Sequence, residues 1–409
     1  MAQPQLSAAQ IMQTNAEFLA MANWRPALMD STTGIYKTGQ TTTFTMDPTG
    51  GYARAIWVMG KVDVTPAGTG TIGVSPYAPY VLFNRVRVRL GNLIHDVHPY
   101  AFALMQQLGN NAGQDFLYPG VQPQLWAQNV LFGSLQNGTA SWAMQGVNAE
   151  TNVWTFMFRI PLQFEKDDVT GIVPLGASSN KLTLELDPTT SPIGTDPLVS
   201  PILQLTGANT VTIGTTDNTL TAVVEYADMN TLQGPTGGGF VVPDPIITQA
   251  VYLRDNVTPY PKFGSYLYAY MEEPYVFMRL IAMMNDNYTA VNGTGNNALA
   301  MSQNALLTGI RLNYDGQNTA REWDATSGGT NTFWMEQLVK YGTLFNQGII
   351  PFDFTSGQDP RHPNGQDLLN AANFTQARIG LQYTSPGAGV TGAYIRLIGQ
   401  YLVPQSYGA

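Results

Sequence analysis

The sequence predicts an all-β fold made twice: two tandem eight-stranded jelly rolls, with an N-terminal helix and one short helix in each half. Three observations predict it. Apolar side chains alternate along Trp154, Phe156, Phe158 and Ile160, and again along Leu182, Leu184 and Leu186, the two-residue period of half-buried strands. The segment Ile160-Pro161-Leu162-Gln163-Phe164 returns 190 residues later as Ile350-Pro351-Phe352-Asp353-Phe354, and an alternating strand follows each copy, around Leu184 and from Arg378 to Tyr383. At 409 residues the chain is too long for one ordinary core and suits two β-domains of about 200 residues each.

The first element is a helix from Leu6 to Ala22. Ser7 and Gln10 have capping-box spacing, and Ile11, Met12, Phe18 and Leu19 form one apolar stripe. Asn23, Trp24, Arg25 and Pro26 end it. With Glu17 as its only charge, this helix fits two settings: against a partner protein or membrane surface, or packed beneath its own domain.

Strands follow at Thr41 to Met46, Arg54 to Val64 and Val81 to Leu90. In the last, Arg85, Arg87 and Arg89 alternate with Val86, Val88 and Leu90. Three arginines on one strand face mark a solvated face or an interface paired with carboxylates of a neighbour, because no aromatic residues interleave them. A short helix runs from Pro99 to Leu108, with proline in its first turn and Gly109 as its stop. After Trp154 to Asp187, a strand from Leu220 to Tyr226 closes the half.

Glycines and prolines cluster in Leu232 to Pro245, the predicted boundary. The expected units are therefore an arm at 1–27, a first roll at 28–233, a linker at 234–245, and a second roll with its tail at 246–409. Beyond the linker the order repeats: Ile246 to Leu253, Tyr275 to Met284, Gly309 to Tyr314, a helix from Phe333 to Tyr341, then Ile350 to Phe354, Arg378 to Tyr383 and Tyr394 to Val403.

Composition narrows the function. Charged residues make up only 11% of the chain, against about 25% in typical globular proteins. The surface is then rich in Asn, Gln, Thr, Ser and Gly, which cost less to desolvate and suit extensive protein contact. A net charge of −9 argues against a phosphate-neutralising face, so no direct nucleic-acid contact is expected. Cysteine is absent, which removes disulfides, thiolate metal sites and a thiol nucleophile. The start, MAQPQLSAAQ, lacks a basic region before an apolar core, so no signal peptide is expected.

Little of the chain points to catalysis, metal or cofactor. His95 and His98 flank Asp96 where a strand runs into a loop, the setting of a buried or helix-capping histidine rather than a metal pair. His362 stands in a turn. Glu165, Asp167 and Asp168, and Asp359 and Asp367, fit solvated turns and match no calcium loop. The enzymatic alternative is a carbohydrate-binding protein or glycoside hydrolase, with Glu272 and Glu273 before Pro274-Tyr275, or Glu322 and Asp324 around Trp323, as paired carboxylates. GPTGGG and GGTNT lack the lysine or the strand-to-helix setting of a phosphate loop.

The segment FRIPLQFEKDDVTGIVPLGASSNKLTLELD, the polar N-terminal helix and the strand order from FMRLIAMMNDN to GQYLVP together resemble the tectivirus-type double jelly-roll major capsid proteins. The resemblance implies a homotrimer, a pseudo-hexagonal block that tiles an icosahedral shell, with penton and minor capsid proteins as further partners and the virion as its location. It also implies an internal membrane facing the N-terminal helix. Assembly contacts are then expected at Ile11, Met12, Phe18 and Leu19 on the helix, and at Arg85, Arg87 and Arg89 on the strand. No cofactor is expected.

Overall fold

The computed structural model describes residues 8–31, 34–68, 71–74, 80–109, 147–148, 153–164, 169–176, 179–190, 193–194, 202–206, 209–213, 218–228, 249–270, 276–285, 306–314, 318–324, 330, 332–336, 348–354, 369–370, 377–385 and 393–404. Eight principal strands form the first half: β1 (Trp24–Leu28), β2 (Thr42–Met46), β3 (Gly51–Gly68), β4 (Phe83–Leu90), β5 (Asn92–Val97), β6 (Val153–Pro161), β7 (Leu182–Pro188) and β8 (Thr219–Asp228). Eight more form the second: β9 (Gln249–Pro259), β10 (Leu267–Tyr270), β11 (Val276–Asn285), β12 (Leu307–Tyr314), β13 (Asn318–Asp324), β14 (Ile349–Asp353), β15 (Ala377–Tyr383) and β16 (Tyr394–Pro404). Two helices complete the frame, α1 (Ala8–Met21) before the first strand and α2 (Tyr100–Gly109) after β5.

The halves have one topology. The first pairs its strands in the orders β1-β8-β3-β6 and β2-β7-β4-β5, and the second in the orders β9-β16-β11-β14 and β10-β15-β12-β13. Each strand of the first half therefore corresponds to the strand eight places later, and every one of these pairings is antiparallel. Two four-stranded sheets of this order, closed face to face, are a jelly roll. The chain is thus a double jelly roll, and the repeated Ile-Pro segment falls on β6 and β14 as corresponding strands.

Alternation builds the sheets. On β7, Leu182, Leu184 and Leu186 point inward and are buried, while Thr183, Glu185 and Asp187 face out. On β4, Val86, Val88 and Leu90 do the same beneath the three arginines. Gly91 takes a φ of 67° in the one-residue turn between β4 and β5, a region that favours glycine. Gly171, in the Thr-Gly turn after β6, has a φ of 90°, and a Cβ there would lie 2.1 Å from the Leu162 carbonyl oxygen.

Two features depart from expectation. The tandem rolls are not separate sandwiches, because β5 pairs in parallel with β9 at His95–Leu253 and Asp96–Arg254. One sheet of each roll thereby joins into a single ten-stranded sheet, and one apolar core runs through both halves. Trp24–Ala27 also leaves the arm, since Trp24–Leu28 pairs along its whole length with β8. Its proline and arginine concealed it, as an edge strand tolerates both. The linker at 234–245 lies outside the described residues. In the second half residues 332–336 are helical, and the rest of that predicted helix lies outside the described residues.

Candidate assembly surface

The junction between the rolls is built from side chains that bind the neighbouring backbone. His95 is fully buried between the rings of Phe102 and Phe164, at centroid distances of 5.5 and 6.0 Å. The Leu253 amide donates to its Nδ1 at 3.3 Å, so the ring proton sits on Nε2 and is donated to the Pro161 carbonyl at 2.9 Å. Burial holds this imidazole far below its ordinary pKa, at about 3, and the Arg254 charge adds to the effect; the Pro161 carbonyl opposes it. His95 is therefore neutral and ties three strands together.

Arg254 extends the two-residue pairing. Its guanidinium donates to the carbonyls of Leu93 and Ile94 at 2.5 and 2.7 Å, and lies 5.2 Å above the Tyr252 ring. Asp255 accepts from the His98 amide at 3.0 Å and pairs with Arg396. His98 itself accepts from the Tyr100 amide at 3.2 Å through Nδ1, which caps the start of α2. Both histidines are buried structural groups, and among the described residues no three His, Asp or Glu side chains converge as metal ligands.

The arginines of the β4 ladder lie beside carboxylates of their own chain. Arg85 pairs with Asp96 on β5; Arg87 reaches Asp187 at 2.9 Å and both Glu185 and Asp96 at 3.4 Å; Arg89 lies 3.8 Å from Glu185. The carboxylates belong to the adjacent strands β7 and β5 of the same sheet. This face continues past β5 into a crevice of about 900 Å³ lined by Arg85, Arg87, Asp187, Asp255, Asn256 and Arg396. Three arginines and two aspartates meet there, so the crevice is a polar, mixed-charge seam beside the junction.

The N-terminal helix is anchored at its far end. Phe18, 3% exposed, packs with Tyr52, Val169 and Ile172, and Leu19, Ala22 and Trp24 close around it. Its ring meets Tyr52 and Trp24 edge-on at 5.2 and 6.3 Å. Phe18 and Leu19 thus pack against their own subunit. The side chains of Ile11 and Met12 lie outside the described residues. No helix among them is long and apolar enough to cross a membrane.

The candidate acid pair fares differently from its sequence reading. Trp323 points into the core, while Glu322 faces out, pairs with Arg311 at 2.7 Å and accepts from the Tyr266 hydroxyl at 3.2 Å. It is the cross-strand partner of an arginine whose guanidinium rests 3.8 Å above the Tyr266 ring. Glu272, Glu273, Glu165, Asp167, Asp168, Asp359, His362 and Asp367 lie outside the described residues.

No protein-family model and no curated protein matches the sequence. Solved structures do match. Similar chains occur in the capsid of the virus PBCV-1 (14% identity, 93% of this chain and 94% of that chain, TM-score 0.58). Another is in Sulfolobus Turreted Icosahedral Virus (11% identity, 94% and 92%, TM-score 0.55). A third is the Faustovirus major capsid protein (9% identity, 94% and 90%, TM-score 0.53). At such identities the likeness is one of fold, carried across both rolls.

Proposed function

We propose that this chain is a structural, non-enzymatic subunit of an icosahedral viral shell, three copies forming the pseudo-hexagonal block that tiles it. The observation that carries this reading is the pair of rolls with identical strand order, joined through a shared sheet and core. A duplicated body supplies six like lobes from three chains, which is what hexagonal tiling with a threefold unit requires. The viral capsid structures that share its fold over nearly the whole chain support the same reading. In this account the chain resides in the virion, and its further partners are the penton and minor capsid proteins that close the shell at its vertices and edges. An internal membrane beneath the shell is proposed on the arm alone, where Met21 is 42% exposed and Glu17 is the only charge of α1.

Electron micrographs of the purified full-length chain test this reading. Class averages with a hexagonal outline and threefold symmetry are expected. Single two-lobed particles that hydrolyse a glycan panel, and lose that activity in Glu322→Gln, would replace it with the carbohydrate-active reading.

A further inference from the structure

The crevice beside the junction owes its shape to a bulge as much as to its arginines. β4 and β7 pair Arg85 with Asp187 and Phe83 with Pro188, so Asn84 is an extra residue on β4. A bulge re-aims side chains, and here Asn84 and Arg85 both turn away from the core while Phe83 and Val86 on either side of them are buried. Both line the crevice, together with Thr41, Arg87, Thr190 and Arg396. At about 900 Å³ it has the size of a small-molecule site.

The acceptors of this crevice are taken, and donors are left over. Asp187 accepts from the Thr41 hydroxyl at 2.6 Å on one oxygen and pairs with Arg87 at 2.9 Å on the other. Asp255 accepts from the His98 amide at 3.0 Å, pairs with Arg396, and is only 5% exposed. Arg85 spends its Nε on Asp96 and is 41% exposed, and no contact among the described residues engages its two terminal nitrogens. Three arginines against two aspartates leave the lining one positive charge in excess. A planar guanidinium with open N–H groups takes a carboxylate through two parallel hydrogen bonds. Beside it the Asn84 amide and the Thr190 hydroxyl suit the polar groups of a hydrophilic ligand, and Val257, 44% exposed, offers one apolar contact.

We infer that this crevice binds a small hydrophilic carboxylate, a hydroxy acid or sugar acid with one negative charge, its carboxylate on Arg85 and its polar groups on Asn84 and Thr190. The single charge matches the single excess cation of the lining. A dianion such as inorganic phosphate would set a second negative charge beside Asp187 and Asp255, which the arginines already balance. Every residue involved belongs to one chain, so the inference goes beyond the shell reading and does not depend on it.

Calorimetric titration of the purified full-length chain at fixed ionic strength tests it, with glucuronate as the probe and acetate, inorganic phosphate, glucose and chloride for comparison. Glucuronate should bind saturably in the millimolar range, acetate and phosphate more weakly, and glucose and chloride not at all. Arg85→Gln should weaken glucuronate binding about tenfold or more, and Asn84→Ala less, both with unchanged melting profiles. Arg89→Gln, on the same strand but away from the crevice, should bind as the wild type does. Absence of saturable glucuronate binding, or binding indifferent to Arg85→Gln, overturns the inference. So does an equal loss in Arg89→Gln, which would mean diffuse attraction to the whole ladder, and so does phosphate or glucose binding as tightly as glucuronate. None of these results bears on particle mass, so the shell reading stands or falls separately.

Discussion

The Leu253 amide points at Nδ1 of His95 from 158 residues away in the chain, at 3.3 Å, and fixes a neutral imidazole at the joint between the rolls. The folded-state pKa of about 3 lies below the ordinary value of 6.5, so the unfolded chain binds the proton first as pH falls. The stability this group contributes is fully present above pH 6.5 and is lost as pH drops towards 3. Between pH 7 and 5 the loss is about 2 kcal/mol, at about 1.4 kcal/mol per pH unit. Denaturant melts at the two pH values should show it in the wild type and lack that increment in His95→Gln. Carboxylate contributions, common to both proteins, cancel in the comparison.

Arg254 and Arg87 separate a joint from a surface pair. Arg254→Met keeps the aliphatic stem but leaves the Leu93 and Ile94 carbonyls without their charged donor, and should cost about 2–3 kcal/mol. Arg87→Gln, on the partly exposed ladder, should cost less than about 1 kcal/mol. Amide exchange along β5 and β9 should quicken in the first variant and stay unchanged in the second.

Phe18 fastens the arm to the first roll. Phe18→Ala removes a buried ring from its contacts with Tyr52 and Ile172 and should cost about 3 kcal/mol. Limited proteolysis should then cleave within α1 while the rolls stay intact.

Two glycines with positive φ give a controlled comparison. Gly171→Ala drives a Cβ to 2.1 Å from the Leu162 carbonyl oxygen and should cost several times the roughly 1 kcal/mol of backbone strain expected at Gly264→Ala, where nothing lies within 4 Å. Chemical denaturation of both variants ranks the two effects.

Most of the fold was legible because burial on one face writes a two-residue period into a strand. Leu182 to Leu186, Val86 to Leu90 and the Ile-Pro repeat gave β7, β4 and the β6/β14 pair, and the repeat gave the duplication. Strands without that signal were missed. β1 has a proline, β10 is four residues long, and β13 carries one inward aromatic among polar side chains. The joint was illegible for a further reason: a two-residue parallel contact between strands far apart leaves no periodicity in either. His95 was placed correctly as a buried group, but its partners Leu253 and Pro161 lie on strands whose proximity only the topology creates. The arginines were read as a solvated face or as an interface paired with a neighbour's carboxylates, whereas the carboxylates beside them are Asp96, Glu185 and Asp187 of their own sheet.

The central claim is that two fused rolls make one third of a closed block, and particle mass tests it most directly. Native mass spectrometry of the purified full-length chain should give one dominant species at three times 44.4 kDa. A single species at 44.4 kDa across the micromolar range would contradict the account.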